Sequence, residues 1–136
     1  MKKVLVTGAT GFLGSYILKE LEGKYDITAV GRNRERLVEI NRNNGKIECI
    51  SADLAEAEEV LNFPESDIVV HSAALSTVWG AKKEFIRNNV TATENIINYC
   101  RAKKVKKLVY ISTPSVYTGK KDRFNVRESD FDRNNR

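Results

Sequence analysis

The sequence predicts an α/β fold, a doubly wound parallel sheet of about five strands with helices on both faces. Three observations carry this expectation. Short β-branched runs alternate with amphipathic stretches from residue 1 to about residue 112. The runs Val4-Leu5-Val6, Ile68-Val69-Val70 and Leu108-Val109-Tyr110-Ile111 are apolar without alternation, as expected of strands covered on both faces. A glycine-rich segment joins the first run to the first amphipathic stretch.

Taken in order, the expected strands are Lys3–Thr7, Asp26–Val30, Lys46–Ser51, Ile68–His71 and Lys107–Ser112. Helices are expected over Phe12–Leu21, Arg34–Arg42, Ala55–Leu61 and Lys82–Ala102. The last helix places Ile86, Val90, Thr93, Ile97 and Cys100 at three- and four-residue steps, which predicts one buried stripe. Strand, helix, strand, repeated, implies right-handed crossovers and parallel pairing. From Thr113 to Arg136 the chain is polar, charged and aperiodic, and it reads as a long loop.

Composition excludes several classes. A chain of 136 residues that is 41% hydrophobic has enough apolar material for one domain core. No apolar run approaches the ~20 residues that span a bilayer, so no membrane association is expected. Met1-Lys2-Lys3 resembles the start of a secretory leader, but Thr7-Gly8-Ala9-Thr10-Gly11 ends the apolar run after three residues. Cys49 and Cys100 are distant and in apolar surroundings, which suits reduced thiols in a cytoplasmic protein. One histidine and no cysteine cluster predict no metal site. The net charge of +5 reflects lysines at Lys103, Lys104, Lys106, Lys107, Lys120 and Lys121. No aromatic residues interleave with them to stack bases, so a solvated helix end and loop are expected, not a nucleic-acid surface.

The segment Thr7-Gly8-Ala9-Thr10-Gly11-Phe12-Leu13-Gly14 carries the most specific chemistry. Gly8 permits a tight turn, Gly11 lets a pyrophosphate approach the backbone, and Gly14 lets helix and strand pack closely. The backbone from Thr10 through Phe12 and Leu13 would present free amides and a positive helix end to phosphate. The spacing is G-x-x-G-x-x-G, not G-x-G-x-x-G.

Thr-Gly-x-x-Gly-x-x-Gly resembles the signature of the short-chain dehydrogenases/reductases, particularly their extended branch. That branch includes nucleotide-sugar epimerases, dehydratases and 3β-hydroxysteroid dehydrogenase-like proteins, and the resemblance runs along essentially the whole chain. It implies a Rossmann-type sheet in the order 3-2-1-4-5 and a nicotinamide dinucleotide cofactor. Residues 1–112 would form the dinucleotide-binding domain and residues 113–136 an active-site loop and truncated tail. The substrate domain would be absent from this chain. A small-molecule substrate is implied for the full-length protein, and a homodimer is compatible with the family.

Residue by residue, the second strand exits through Ala29-Val30-Gly31-Arg32-Asn33-Arg34, with no carboxylate to bond ribose hydroxyls. Asp26 stands at the other end of that strand. Arg32 or Arg34 suits a 2′-phosphate through a charge-assisted fork, which favours NADP over NAD. The alternative for Arg32 is stacking over adenine or facing solvent. Asp53, with Leu54, reads both as a helix N-cap and, by the resemblance, as an adenine contact. His71-Ser72-Ala73-Ala74 is similar to the family's His-x-Ala-Ala, whose small Ala73 and Ala74 let the backbone approach the cofactor. His71 is expected to pack and hydrogen-bond, not to act as a base. Asn88-Asn89-Val90-Thr91-Ala92-Thr93-Glu94-Asn95 resembles Asn-Val-x-Gly-Thr-x-Asn, with Asn89 as the first Asn and Ala92 in place of Gly.

Ile111-Ser112-Thr113-Pro114-Ser115-Val116-Tyr117 resembles the family's Ser-Ser/Thr-x-x-x-Val-Tyr exit. By that match Ile111 and Ser112 line the cofactor pocket. Thr113 is the catalytic hydroxyl that holds the reacting oxygen. The family also uses a Tyr-x-x-x-Lys pair on a helix. Tyr117-Thr118-Gly119-Lys120-Lys121 has that form but lies in a loop only four residues past Thr113. The genuine pair is expected after Arg136, leaving residues 1–136 inactive by themselves. The rival function is a non-enzymatic dinucleotide sensor or regulator on the same fold.

Overall fold

The computed structural model describes residues 1–75, 79–113 and 124–130. Five strands, β1 (Lys3–Thr7), β2 (Asp26–Gly31), β3 (Glu48–Ser51), β4 (Ile68–His71) and β5 (Lys107–Tyr110), form one sheet in the order β3-β2-β1-β4-β5. Every pairing is parallel. The connections carry helices α1 (Phe12–Leu21), α2 (Arg34–Asn43), α3 (Ala57–Leu61), α4 (Lys82–Phe85) and α5 (Ala92–Ala102). A short 3₁₀ turn covers Glu128–Asp130.

Side chains of β1 alternate between two cores because successive residues of a strand point to opposite faces. Leu5 joins Val30, Val69, Val60, Phe63, Ile96 and Tyr99 on the face covered by α3 and α5. Val4 and Val6 join Ile27, Ala29, Leu18 and Ile47 on the face covered by α1 and α2. Tyr99 is fully buried; its hydroxyl donates to the Pro64 carbonyl at 2.6 Å, and its ring meets Phe63 edge-on. Cys49 and Cys100 are free and half-buried, and burial pushes both thiols above their ordinary pKa.

Three expectations need correction. β5 ends at Tyr110, not Ser112, and it is not covered on both faces. Leu108 is 37% and Tyr110 54% exposed, because β5 is the outer strand of the sheet among the described residues. The β3 and α3 starts move to Glu48 and Ala57, since Ile47 packs before the strand begins and Ala55 is held by a turn at Asp53.

The third correction concerns the single helix expected over Lys82–Ala102. It is interrupted by a π-helical segment at Ile86–Thr91. A π turn holds extra chain per turn and shifts the phase of everything beyond it. Beyond it the buried residues are Ala92, Asn95, Ile96 and Tyr99, while Ile86 and Val90 within it are exposed.

Candidate functional site

β1, β2, β3 and β4 all point their carboxyl ends at one edge of the sheet, where their exits converge on a cleft of about 310 Å³. Open α/β sheets bind ligands at such an edge, where the strand order reverses. Gly8, Thr10 and Gly11 form one wall. Arg32 and Asn33 from the β2 exit, Asp53 and Leu54 from the β3 exit, and Ala73 and Ala74 from the β4 exit complete the expected lining.

The first wall is built by close backbone approach. Gly8 has φ +69°, a left-handed conformation, and a Cβ there would stand 2.7 Å from the Ala73 nitrogen. A Cβ on Gly14 would collide with the Gly8 carbonyl oxygen. Gly14 thus packs against the turn itself. The Gly11 amide is taken by the Gly8 carbonyl at 3.0 Å, which closes the turn. Gly11 caps α1 without a side chain, and the next amides, at Phe12, Leu13 and Gly14, lie where an α-helix has no internal acceptor. Phe12 and Leu13 point their side chains outward.

On the opposite wall, Asn33 caps α2 by accepting from the Arg36 amide at 3.1 Å. Arg32 extends across the cleft, and its Nη1 donates to Asn88 Oδ1 at 3.1 Å. Asp53 Oδ1 accepts from the Ala55 amide at 2.9 Å, and Oδ2 accepts from Arg87 at 2.7 Å. Burial opposes ionisation of Asp53, but the Ala55 amide and the Arg87 guanidinium outweigh it and hold its carboxyl below the ordinary value. Arg87 also pairs with Glu56 at 2.8 Å.

Beneath the cleft, His71 is 1% exposed and tied at both ring nitrogens. Thr93 Oγ1 donates to the Asn89 carbonyl at 2.6 Å, so it accepts from His71 Nε2 at 2.9 Å. His71 Nδ1 then accepts from Thr7 Oγ1 at 2.7 Å, which leaves Thr7 to accept from the Ala73 amide at 3.4 Å. The result is one directed chain of hydrogen bonds from the β4 exit to the π-helical segment. Burial lowers the His71 pKa to about 4, so the ring is neutral at pH 7, as this chain requires.

Several expected residues stand outside the cleft lining. Asn89 clamps the Leu75 backbone, accepting from its amide at 2.7 Å and donating to its carbonyl at 3.2 Å. Ile111, Ser112 and Thr113 follow β5 and are exposed, and the Ile111 amide donates to the His71 carbonyl at 3.1 Å. Tyr117, Lys120 and Lys121 lie outside the described residues. Conversely, Gly31, Ser72, Asn88 and Ala92 line the cleft without having been expected there. Asn88 adjoined a recognised motif. Arg87 had no signal, because a lone arginine in a polar helix does not reveal which strand exit it will face.

The chain matches the NAD dependent epimerase/dehydratase family over residues 4–135. It is 37% identical over 125 residues to a 2-alkyl-3-oxoalkanoate reductase of Shewanella oneidensis, covering 91% of this chain and 32% of that protein. A solved UDP-N-acetylglucosamine 4-epimerase from Methanobrevibacter ruminantium superposes with a TM-score of 0.80 at 30% identity, covering 96% of this chain and 43% of the other. A UDP-glucose-4-epimerase from Stenotrophomonas maltophila, solved with bound NAD, gives 0.81 at 25% identity, over 95% and 42%. The chain therefore spans 32% to 43% of the length of these relatives. With the glycine turn, the parallel order and the family match agreeing over nearly every residue, this chain belongs to the NAD-dependent epimerase/dehydratase family.

Proposed function

We propose that this chain carries the dinucleotide-binding part of an enzyme that passes hydride between a nicotinamide cofactor and a carbinol carbon. The observation that carries this reading is the cleft at the carboxyl edge, floored by Gly8 and Gly11 at the start of α1. Gly8 and Gly14 occupy positions that no side chain could share, and the space in front of them is the size of a nucleotide site. Relatives named as reductases and sugar-nucleotide epimerases support an enzyme over a sensor. The epimerases among them, named for UDP-sugars, support a nucleotide-sugar substrate.

A bound nicotinamide ring supplies the hydride chemistry. The chain's own residues supply the grip. Helix α1 would meet the diphosphate with the amides of Phe12, Leu13 and Gly14. Leu54, Ala73 and Ala74 would exclude water along the nucleotide, and Ser112 and Ile111 would border its far end. Thr113 would donate to the reacting oxygen. Residues 1–112 would form the cofactor domain, followed by an active-site loop over 113–136. Catalysis would also require a tyrosine–lysine pair on a helix, a role that this reading does not give to Tyr117 and Lys121.

NADP is preferred over NAD in this reading, because Arg32 stands at the β2 exit with its charge directed into the cleft. Calorimetric titration with both dinucleotides tests it. Arg32→Asp should weaken NADP binding by about one to two orders of magnitude, the size of a lost charge-assisted pair, and reverse the preference. Equal affinity of the unaltered chain for the two cofactors would remove the case for NADP.

A further inference from the structure

We propose that Asn88 is a specificity-determining residue, which holds Arg32 pointed across the cleft so that its guanidinium fork is ready for a 2′-phosphate. This rests on the cofactor reading above. The Asn88 amide is oriented by its own backbone: Nδ2 donates to the Glu84 carbonyl at 2.9 Å, so Oδ1 must face the cleft. There it accepts from Arg32 Nη1 at 3.1 Å. Among the described residues one donor of five is used, which leaves Nε and Nη2 their hydrogens for a ligand.

The neutrality of this partner matters. A carboxylate would hold Arg32 more tightly but cancel the charge that a phosphate needs. One competing carboxylate is Asp53, whose charge is felt by Arg32; that of Glu84 lies on the other side of the amide, 3.5 Å from Asn88 Nδ2. Arg87 answers the Asp53 carboxylate at 2.7 Å, so Arg32 is left to the amide. The π-helical segment makes both contacts possible. Its consecutive residues Arg87, Asn88 and Asn89 reach three different strand exits: Asp53 after β3, Arg32 after β2 and Leu75 after β4.

The test is a cycle of Asn88→Ala, Asn88→Asp, Arg32→Gln and the Asn88→Ala/Arg32→Gln double variant, titrated with NAD and NADP. The readout is the ratio of the two dissociation constants, which a general loss of folding does not move. Asn88→Ala should lower the preference for NADP about three- to tenfold, the range of one hydrogen bond. Asn88→Asp should lower it further, because the new carboxylate both captures Arg32 and repels phosphate. In the Arg32→Gln background, Asn88→Ala should change the ratio less than about twofold, since independent sites are the ones that add. An equal shift in both backgrounds, or a rise in NADP preference for Asn88→Asp, overturns the proposal. If the unaltered protein prefers NAD, the cofactor reading fails separately, and the Asn88→Ala shift must still vanish when Arg32 is gone.

Discussion

His71 shows how much one buried side chain can decide. Its ring must be neutral for Thr7 and Thr93 both to be satisfied. A folded pKa near 4 against about 6.5 unfolded means that the unfolded chain binds the proton first as pH falls. Stability is thus fully present above pH 6.5 and is lost between 6.5 and 4, by at most about 3 kcal/mol. Urea unfolding at pH 7 and pH 4.5 should show this loss, and His71→Gln should flatten it while lowering stability at pH 7. Asp53 acts in a separate window: its depressed pKa keeps its contribution until pH falls below the ordinary carboxylate range. Gly14→Ala belongs to the same scale. The new methyl would meet the Gly8 carbonyl oxygen, so the turn must open. A loss of about 2–4 kcal/mol is expected, together with loss of dinucleotide binding, read by thermal unfolding and calorimetry.

At the scale of elements, the π-helical segment separates what the sequence disclosed from what it hid. The strands and α1 were readable because β-branched runs and glycine placement are local signals. Five-strand order, by contrast, came with the family resemblance. The register of the last helix was not readable, because a 3.6-residue period was carried straight through Ile86–Thr91. The buried stripe beyond it runs through Ala92, Ile96 and Tyr99, one residue before the expected Thr93, Ile97 and Cys100. Of the cleft, the turn and the β2, β3 and β4 exits were legible, and the wall contributed by this segment mostly was not. Asn89→Ala tests its anchoring. Removing both hydrogen bonds to Leu75 should destabilise the protein by about 1–3 kcal/mol, and the Leu75 amide should exchange faster with solvent than in the parent.

The whole molecule divides its apolar interior into two cores, one on each side of the sheet, and both reach β1. A ligand seated across the ends of β1, β2, β3 and β4 therefore touches structure anchored in both cores. Such a ligand binds only the folded chain, so at a hundred times its dissociation constant NADP should add about 2.7 kcal/mol of stability. Thermal melts at rising NADP concentration should show one transition moving upward. Two transitions, with only one responding, would mean that the two cores unfold independently.

The outer position of β5 has a colloidal consequence. Among the described residues it presents an outward backbone edge, with Leu108 and Tyr110 adding apolar area beside it. Such an edge is a template on which a second chain can add a strand. Lys106 and Lys107 put positive charge at the same margin, Lys106 being only loosely paired with Asp67 at 3.4 Å. Identical chains approaching edge to edge meet that charge first. Its reach shortens as ions are added, so concentrated solutions should self-associate as salt rises, well before their secondary structure is lost.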